Sequence, residues 1–177
     1  MALRAGTVTP RCSSNRCSRR SLLLLESDSE QSRGQLLSTL AGAGITARLV
    51  LVRRAPGISR FLIEADGLIL ASPVYFADVT AEMKAIMDRA GYVARSKREM
   101  FSRKPGAAVV AVRRAGAMHA FDTMNHFFGI SDMLTVGSSY WNIGLGSAKG
   151  DVAQDAEGMR TMTRLGENMA WLLGKLA

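Results

Sequence analysis

The chain has 177 residues, so it is most simply a single domain over 1–177, long enough to bury a core. Hydrophobic residues make up 47 % of it, but no uninterrupted apolar run approaches the ~18–20 residues that a bilayer span requires, and we expect no membrane partner. The two cysteines, Cys12 and Cys17, are too few for a disulfide framework or for a Cys-ligated iron–sulfur cluster.

The formal charge of +8 lies mostly in the N-terminal third of the chain. Residues 1–60 contain ten Arg and three acidic residues, whereas the remainder is nearly neutral. This asymmetry predicts an anionic partner there, such as a phosphorylated cofactor. No aromatic residues are interleaved with these Arg, so a nucleic-acid-binding platform is not expected. With only two cysteines, the default expectation is a reduced, cytoplasmic location. Residues 1–21 also have the composition of a transit peptide, so an organelle is the alternative if this segment is a targeting sequence.

The predicted elements begin with a weak strand over 2–8 and a polar loop over 9–16. This loop leads into a helix predicted over 18–40, and the N-terminal end of a helix is positive. The hydroxyl and amide groups of the loop would therefore bind a phosphate there. Arg11 would add charged donors. The candidate phosphate-binding residues are Thr9, Arg11, Ser13, Ser14, Asn15 and Arg16.

A strand–loop–helix unit over 65–89 is the most informative stretch of the chain. It follows a predicted strand over 45–52 and a short helix over 58–65. The apolar run Leu68–Ala71 is typical of a strand buried on both faces. The loop Ser72–Phe76 comes next, and apolar residues at helical spacing then predict a helix over 79–90 that ends at Gly91.

After this unit the pattern again alternates strand and helix. It predicts a strand over 105–112, a helix over 118–128, a strand over 133–136, a polar loop over 137–151 and a helix from Asp155 onward. The methionines of the last helix are expected to pack in the core. The alternation of five strands with helices predicts a doubly wound five-stranded parallel sheet, in the order 2-1-3-4-5.

In residues 65–89 the chain resembles the flavodoxin-like NADPH-dependent FMN reductases and their iron–sulfur flavoprotein relatives. The motif SPVYF before the helix VTAEMKAIMDR carries the resemblance, and TPRCSSNR fits the frame of the family's phosphate loop, S-P-R-x-x-S-N-T. The resemblance implies a flavodoxin-like fold, bound FMN, NAD(P)H as cosubstrate, and a small electron acceptor such as a quinone, a free flavin or a xenobiotic. The cysteine-rich segment of many relatives is absent, so we expect no iron–sulfur role.

The loops after strands one, three and four of such a sheet meet at one crevice. The resemblance implies that the second of these loops contacts the isoalloxazine ring and that chains associate near it. We predict no catalytic side chain, because the flavin accepts hydride itself, and no metal site, because His119 and His126 lack ligands at suitable spacing. The ring-site candidates are Ser72, Pro73, Val74, Tyr75, Phe76, Arg113, Arg114, Ala115 and Gly116.

Two functions fit these observations. The first is an FMN-dependent NAD(P)H oxidoreductase. The alternative is a non-enzymatic flavodoxin-like module whose cofactor site has decayed and which binds a protein partner through the helix after Phe76. We also expect a homodimer or homotetramer, because Met83 and Met87, beside the small Ala81 and Ala85, would form an apolar outer surface.

Overall fold

The computed structural model describes residues 21–26, 46–51, 58–96, 100–148 and 150–176. The strands in these ranges are β1 (Ser21–Glu26), β2 (Thr46–Leu51), β3 (Gly67–Pro73), β4 (Pro105–Val112), β5 (Leu134–Thr135) and β6 (Ile143–Leu145). The helices are α1 (Ile58–Glu64), α2 (Ala81–Ser96), α3 (Ala117–Ile130) and α4 (Ala156–Lys175), preceded by a 3-10 turn at Asp151–Gln154. None of the helices described is both long and apolar enough to cross a membrane.

All described strand pairs are parallel, and the main path through the sheet runs β2-β1-β3-β4-β5. β5 and β6 share one edge of β4. β5 pairs with Pro105 and Gly106 at the start of β4, whereas β6 pairs with its last three residues, Val110 to Val112. The predicted doubly wound parallel class is therefore confirmed, but the sheet has a sixth, short strand where the sequence predicted only a polar loop.

The first strand differs from the prediction. Residues 21–26 were expected to be helical, yet they form β1 and pair with both β2 and β3. The predicted strand over 2–8 and the predicted phosphate loop over 9–16 lie outside the described residues. Residues 9–16 precede β1 in the sequence, and their place at the crevice stays a prediction.

Residues of β3 and β4 alternate between two cores, as successive side chains of a strand must. Leu68, Leu70 and Val110 belong to one core with α2 and α3, whereas Ile69 and Val109 belong to the other with α4. Met162 and Met169 are buried in this second core, which confirms the predicted packing role of the C-terminal methionines. In the described part of the chain, helices therefore cover both faces of the sheet, which directs a ligand to its edges and ends.

Helix α2 corrects two predictions. It continues to Ser96, so Gly91 lies inside the helix and does not end it. Met83 and Met87 are buried against the sheet, so they do not form the outer apolar surface on which the expected association was based. Among the large apolar side chains of this helix, Tyr92 is the exposed one.

Candidate functional site

The loop after β3 ends in a tight turn whose tip is aromatic. The backbone N–H of Tyr75 donates to the carbonyl of Asp78 at 3.0 Å, and the N–H of Asp78 donates back at 3.2 Å. Between them, Phe76 and Ala77 have φ values of 49° and 67°. Two central residues with positive φ define a type I′ turn, which normally requires Asn and Gly. The turn is therefore strained, and it holds the Phe76 side chain fully in solvent.

Ser72 supports this turn from below. Its buried hydroxyl donates to the carbonyl of Pro73 at 2.8 Å and accepts from the N–H of Thr80 at 3.1 Å. The Thr80 hydroxyl in turn accepts from the N–H of Met83 at 3.2 Å, which makes Thr80 the N-cap of α2. Ser72 thus acts on the site by fixing the loop between strand and helix, since its hydroxyl is already engaged within the protein.

The loop after β4 packs against the turn, as predicted from the topology. The N–H of Val74 donates to the carbonyl of Ala111 at 3.0 Å. Gly116 has a φ of 86°, and a Cβ at this position would lie 3.2 Å from Ala77 Cα and 3.4 Å from Val74 Cγ1. Only glycine adopts this conformation cheaply and leaves room for the neighbouring loop. The two ring-site loops are therefore in contact at Gly116.

Exposure separates the predicted ring-site residues. Tyr75, Phe76, Arg113, Arg114 and Ala115 are exposed at the carboxyl edge of the sheet. The other four predicted residues are at least partly covered: Ser72, Pro73, Val74 and Gly116. The predicted phosphate residues Thr9, Arg11, Ser13, Ser14, Asn15 and Arg16 lie outside the described residues, so their role stays a prediction.

His119, from the first turn of α3, lies beside the same turn. Its Nε2 atom is 3.6 Å from Oδ2 of Asp78, and both side chains are substantially exposed. The other Asp78 oxygen accepts from the N–H of Val79 at 2.7 Å. An exposed pair at this distance contributes at most about 1 kcal/mol when the imidazole is protonated. In the part of the chain described, no three His, Cys, Asp or Glu side chains are grouped as a metal site.

A cleft of about 500 Å³ opens on the opposite side of the β4 loop, and we call it the β6 cleft. It lies between the first turn of α3, the residues around β6 and the first turn of α4. Arg114 and His119 line one side, Tyr140 and Trp141 another, and Asp155 and Glu157 the third. Gly116 lines this cleft and also lies against Ala77 and Val74 of the aromatic turn, so the cleft and the turn are neighbours.

A buried polar network holds the aromatic wall of the cleft. Asn142 donates from Nδ2 to the carbonyl of Ala108 at 2.9 Å, and its Oδ1 atom accepts from the Ser138 hydroxyl at 2.6 Å. The Ser138 hydroxyl also lies 2.7 Å from the carbonyl of Tyr140. Trp141 packs edge-on against Phe121, with ring centroids 5.8 Å apart. These contacts fix the backbone that carries Tyr140 and Trp141.

Asp155 closes the opposite side of the cleft by joining β6 to α4. Its Oδ1 atom accepts from the N–H of Gly158 at 3.0 Å, and Oδ2 accepts from the N–H of Leu145 at 2.8 Å. Desolvation raises the pKa of this carboxyl, but the N–H groups of Gly158, Leu145 and Glu157 and the charge of Arg160 outweigh that effect, so the pKa lies below its ordinary value of 3.8. Asp155 is therefore ionised at neutral pH.

The second half of this site was not predicted. Tyr140, Trp141 and Asn142 fell in a segment predicted to be a polar loop, and Asp155 was predicted only as the start of the last helix. The adjacent pair Tyr140 and Trp141 was a usable signal in the sequence, because two neighbouring aromatics in a loop are exposed unless a partner covers them.

The comparisons with known proteins agree with the fold. An iron-sulfur flavoprotein of Methanocaldococcus jannaschii is 38% identical over 113 residues, which are 60% of this chain and 58% of that protein. An iron-sulfur flavoprotein of Archaeoglobus fulgidus is 30% identical over 123 residues, which are 65% of this chain and 63% of that protein. The chain thus spans about three fifths of the length of these curated relatives.

Solved structures give the same picture of the fold. A flavodoxin, WrbA-like protein from Agrobacterium tumefaciens superposes with a TM-score of 0.70 at 14% identity, covering 89% of this chain and 99% of that one. A flavodoxin from the domain Archaea superposes with a TM-score of 0.67 at 12% identity, covering 87% and 99%. These likenesses show that the fold is flavodoxin-like. Residues 54–148, just over half of the chain and including both contacting loops, match the NADPH-dependent FMN reductase family. The chain belongs to this family.

Proposed function

We propose that this protein binds FMN and uses it to pass electrons from NAD(P)H to a small acceptor such as a quinone, a free flavin or a xenobiotic. One observation carries the proposal: the two loops that meet at Gly116 both lie within the family match and present exposed aromatic and small residues at the carboxyl edge of the sheet. In flavodoxin-like sheets this edge is where FMN binds. When bound, FMN would supply the redox chemistry, since its ring takes up hydride without a catalytic side chain.

The residues present fit an isoalloxazine ring. A planar ring needs apolar contacts on its faces and polar groups at its edge. Tyr75 and Phe76 supply exposed aromatic surface, and Ala115 and Gly116 allow close approach of the backbone. Helix α3 begins at Gly116 without a side-chain cap, so its positive end is open to a group that becomes negative on reduction. These residues would orient the ring and exclude water from it.

The two cysteines argue against a cluster as the redox group. The curated relatives are named iron–sulfur flavoproteins. Four thiolates hold a cysteine-ligated cluster, and this sequence contains Cys12 and Cys17 alone. FMN is therefore the redox group that we propose, and the proposed location is the cytoplasm.

A specific observation also favours the second candidate, a module with a weakened cofactor site. The sequence that directly follows β1, residues 27–33, reads SDSEQSR and contains two carboxylates, those of Asp28 and Glu30. Carboxylates repel a phosphate. If this segment replaces the expected loop, FMN is held by its ring more than by its phosphate, and the protein is purified largely without flavin.

A flavin titration separates the two candidates. The purified protein is analysed by visible spectroscopy, and the apo-protein is titrated with FMN and with riboflavin at low and high salt. We expect FMN to bind more tightly than riboflavin, with an affinity that falls at high salt, because only FMN carries the phosphate. NAD(P)H oxidation with a quinone is then measured. A protein that binds neither flavin, or that binds FMN without oxidising NAD(P)H, would support the module instead.

Substitutions locate the groups involved. Tyr75→Ala should lower flavin affinity, whereas Ile130→Ala, which removes an exposed apolar side chain at the far end of α3, should not. Asp28→Asn with Glu30→Gln should strengthen binding of FMN but not of riboflavin if the segment after β1 faces the phosphate. Arg11→Gln should weaken FMN alone if residues 9–16 hold it.

We further propose a homodimer or homotetramer. With Met83 and Met87 buried, the exposed apolar side chains that could support association include Tyr75 and Phe76 in the loop and Tyr92 in α2. A fully exposed Phe on a strained turn gains from being covered by a second copy. Light scattering of the wild type and of Phe76→Ser checks this: a wild type that stays monomeric at high micromolar concentration would contradict it.

A further inference from the structure

We propose that the β6 cleft is a second ligand site, selective for a neutral planar ring over a phosphate-bearing one. The inference rests on the proposed function, because it places this second ring next to Arg114–Gly116, the segment expected to border the flavin. The β6 cleft has a volume of about 500 Å³, which lies within the range of small-molecule sites. Three features of the cleft carry the inference: its wall, its floor and its charge.

The wall consists of two aromatic side chains that are held in place yet left uncovered. Tyr140 is 66% exposed and Trp141 is 50% exposed. The Ser138–Asn142 network and Phe121 fix the segment that carries them, as described above. Large aromatic side chains normally bury their faces, so a rigid and uncovered pair offers stacking surface to a ring with little ordering cost.

The floor of the cleft is apolar. Val112 at the end of β4 and Ile143 at the start of β6 line it, together with Gly158 and Thr161 from α4. Gly158 lets α4 approach β6 closely, since a Cβ there would lie 3.0 Å from the carbonyl of Ile143. Apolar lining of this kind beside two aromatic side chains accommodates a fused ring system.

The charge of the cleft selects against phosphates. Arg114 is the positively charged side chain in the cleft lining and Asp155 and Glu157 are the negatively charged ones, with Arg160 near Asp155 outside the lining. Both oxygens of Asp155 are engaged by backbone N–H groups, which keep this carboxyl ionised without cancelling its charge. His119 lies 3.6 Å from a third carboxylate, that of Asp78. Among the side chains that line the cleft, negative charges thus outnumber positive ones, which disfavours an anionic ligand relative to a neutral ring.

Equilibrium dialysis with a matched pair of probes tests the inference on the full chain. The probes are 2-(hydroxymethyl)anthraquinone, which is neutral, and anthraquinone-2-sulfonate, which has the same rings and one negative charge. Binding is measured without NAD(P)H, so the readout does not depend on turnover. We expect the neutral probe to bind at least tenfold more tightly. Trp141→Ala and Tyr140→Ala should each weaken it by tenfold or more.

The control is Trp171→Ala, which removes an exposed tryptophan of α4 outside the cleft and should leave both affinities unchanged. Glu157→Gln should strengthen sulfonate binding several-fold and leave the neutral probe unaffected. Circular dichroism of each variant verifies folding. Equal affinity for the two probes, or unchanged binding in both wall variants, would overturn the inference.

Flavin occupancy is recorded separately for every preparation. Displacement of the neutral probe by saturating FMN would mean that the cleft belongs to the flavin ring, which overturns this inference and leaves the proposed function standing. Failure of the proposed function appears instead as absent flavin binding or absent NAD(P)H oxidation, whatever the probes do.

Discussion

Gly116→Ala should damage both stability and flavin binding, because Gly116 is the point where the two ring-site loops touch. Its φ of 86° lies in the left-handed region, and a Cβ would come within 3.2 Å of Ala77 Cα and 3.4 Å of Val74 Cγ1. Ala77 itself has a φ of 67° within the strained turn, so the loop that would have to move is already held in an unfavourable conformation.

The expected loss has two parts. A residue with a Cβ in the left-handed conformation costs about 1–2 kcal/mol. Crowding against packed backbone adds about 1–3 kcal/mol, as small-to-large substitutions in tight sites do. Gly150 provides a matched control, because its φ is 100° but a Cβ there would meet nothing within 4 Å. Gly150→Ala should therefore show the first cost without the second.

Urea unfolding of wild type, Gly116→Ala and Gly150→Ala measures the free energies, and flavin titration measures the site. We expect Gly116→Ala to lose at least about 1 kcal/mol more than Gly150→Ala. We also expect its flavin affinity to fall about tenfold, because the loops can no longer meet in the same geometry, while Gly150→Ala binds flavin normally. Equal stability losses together with unchanged flavin affinity would refute the role given to this contact.

Three further substitutions test other parts of the site. Asn142→Ala should cost about 1–3 kcal/mol in unfolding free energy, because it removes the buried side-chain hydrogen bond to the Ala108 carbonyl and the one from the Ser138 hydroxyl, and it should cost more than Ser138→Ala. Asp155→Ala should cost about 0.5–2 kcal/mol at pH 7 through loss of the α4 N-cap. The folded-state pKa of Asp155 lies below 3.8, so the stability that this carboxylate contributes is present above that pH and is lost as the pH falls through the lowered value. The difference in urea midpoint between wild type and Asp155→Ala should therefore shrink on acidification. A difference that stays constant would contradict this. Gly129 is exposed in α3, and a Cβ there would meet nothing within 4 Å. Gly129→Ala should therefore raise the free energy of unfolding, measured with urea, by up to about 1 kcal/mol, and a clear loss of stability would contradict the α3 assignment there.

The elements around β3 and β4 were predictable because their patterns allow one interpretation each. The run Leu68–Ala71 and the strand 105–112 are apolar on successive positions, as strands covered on both faces must be. The apolar residues of α2 and α4 recur at helical spacing and are buried along that line. Because ligands in this topology bind at the carboxyl ends of the strands, the meeting of the loops Ser72–Phe76 and Arg113–Gly116 followed as well.

Strand β1 could not be recognised from its own residues. The segment Ser21–Glu26 has four Leu in a row, and leucine is a good helix former, while a short apolar run alone does not distinguish strand from helix. What decides its conformation is non-local: β2 pairs along one side of it and β3 along the other. The first strand was predicted at residues 2–8 because residues 9–16 fit the pattern of a phosphate loop, which follows the first strand in this family.

The second half of the site was missed for a related reason. β6 has three residues, two of which are apolar, and it exists because the end of β4 offers it a partner. Two side chains then fix the segment around it. Asn142, which lies between β5 and β6 in the sequence, donates to the Ala108 carbonyl of β4. Asp155 accepts from the N–H groups of Leu145 at the end of β6 and Gly158 in α4. Each is a polar residue whose importance depends on atoms far away in the sequence. Local patterns therefore locate the loops that follow long strands, whereas a binding surface built on a short edge strand becomes visible only when the sheet that supports it is assembled.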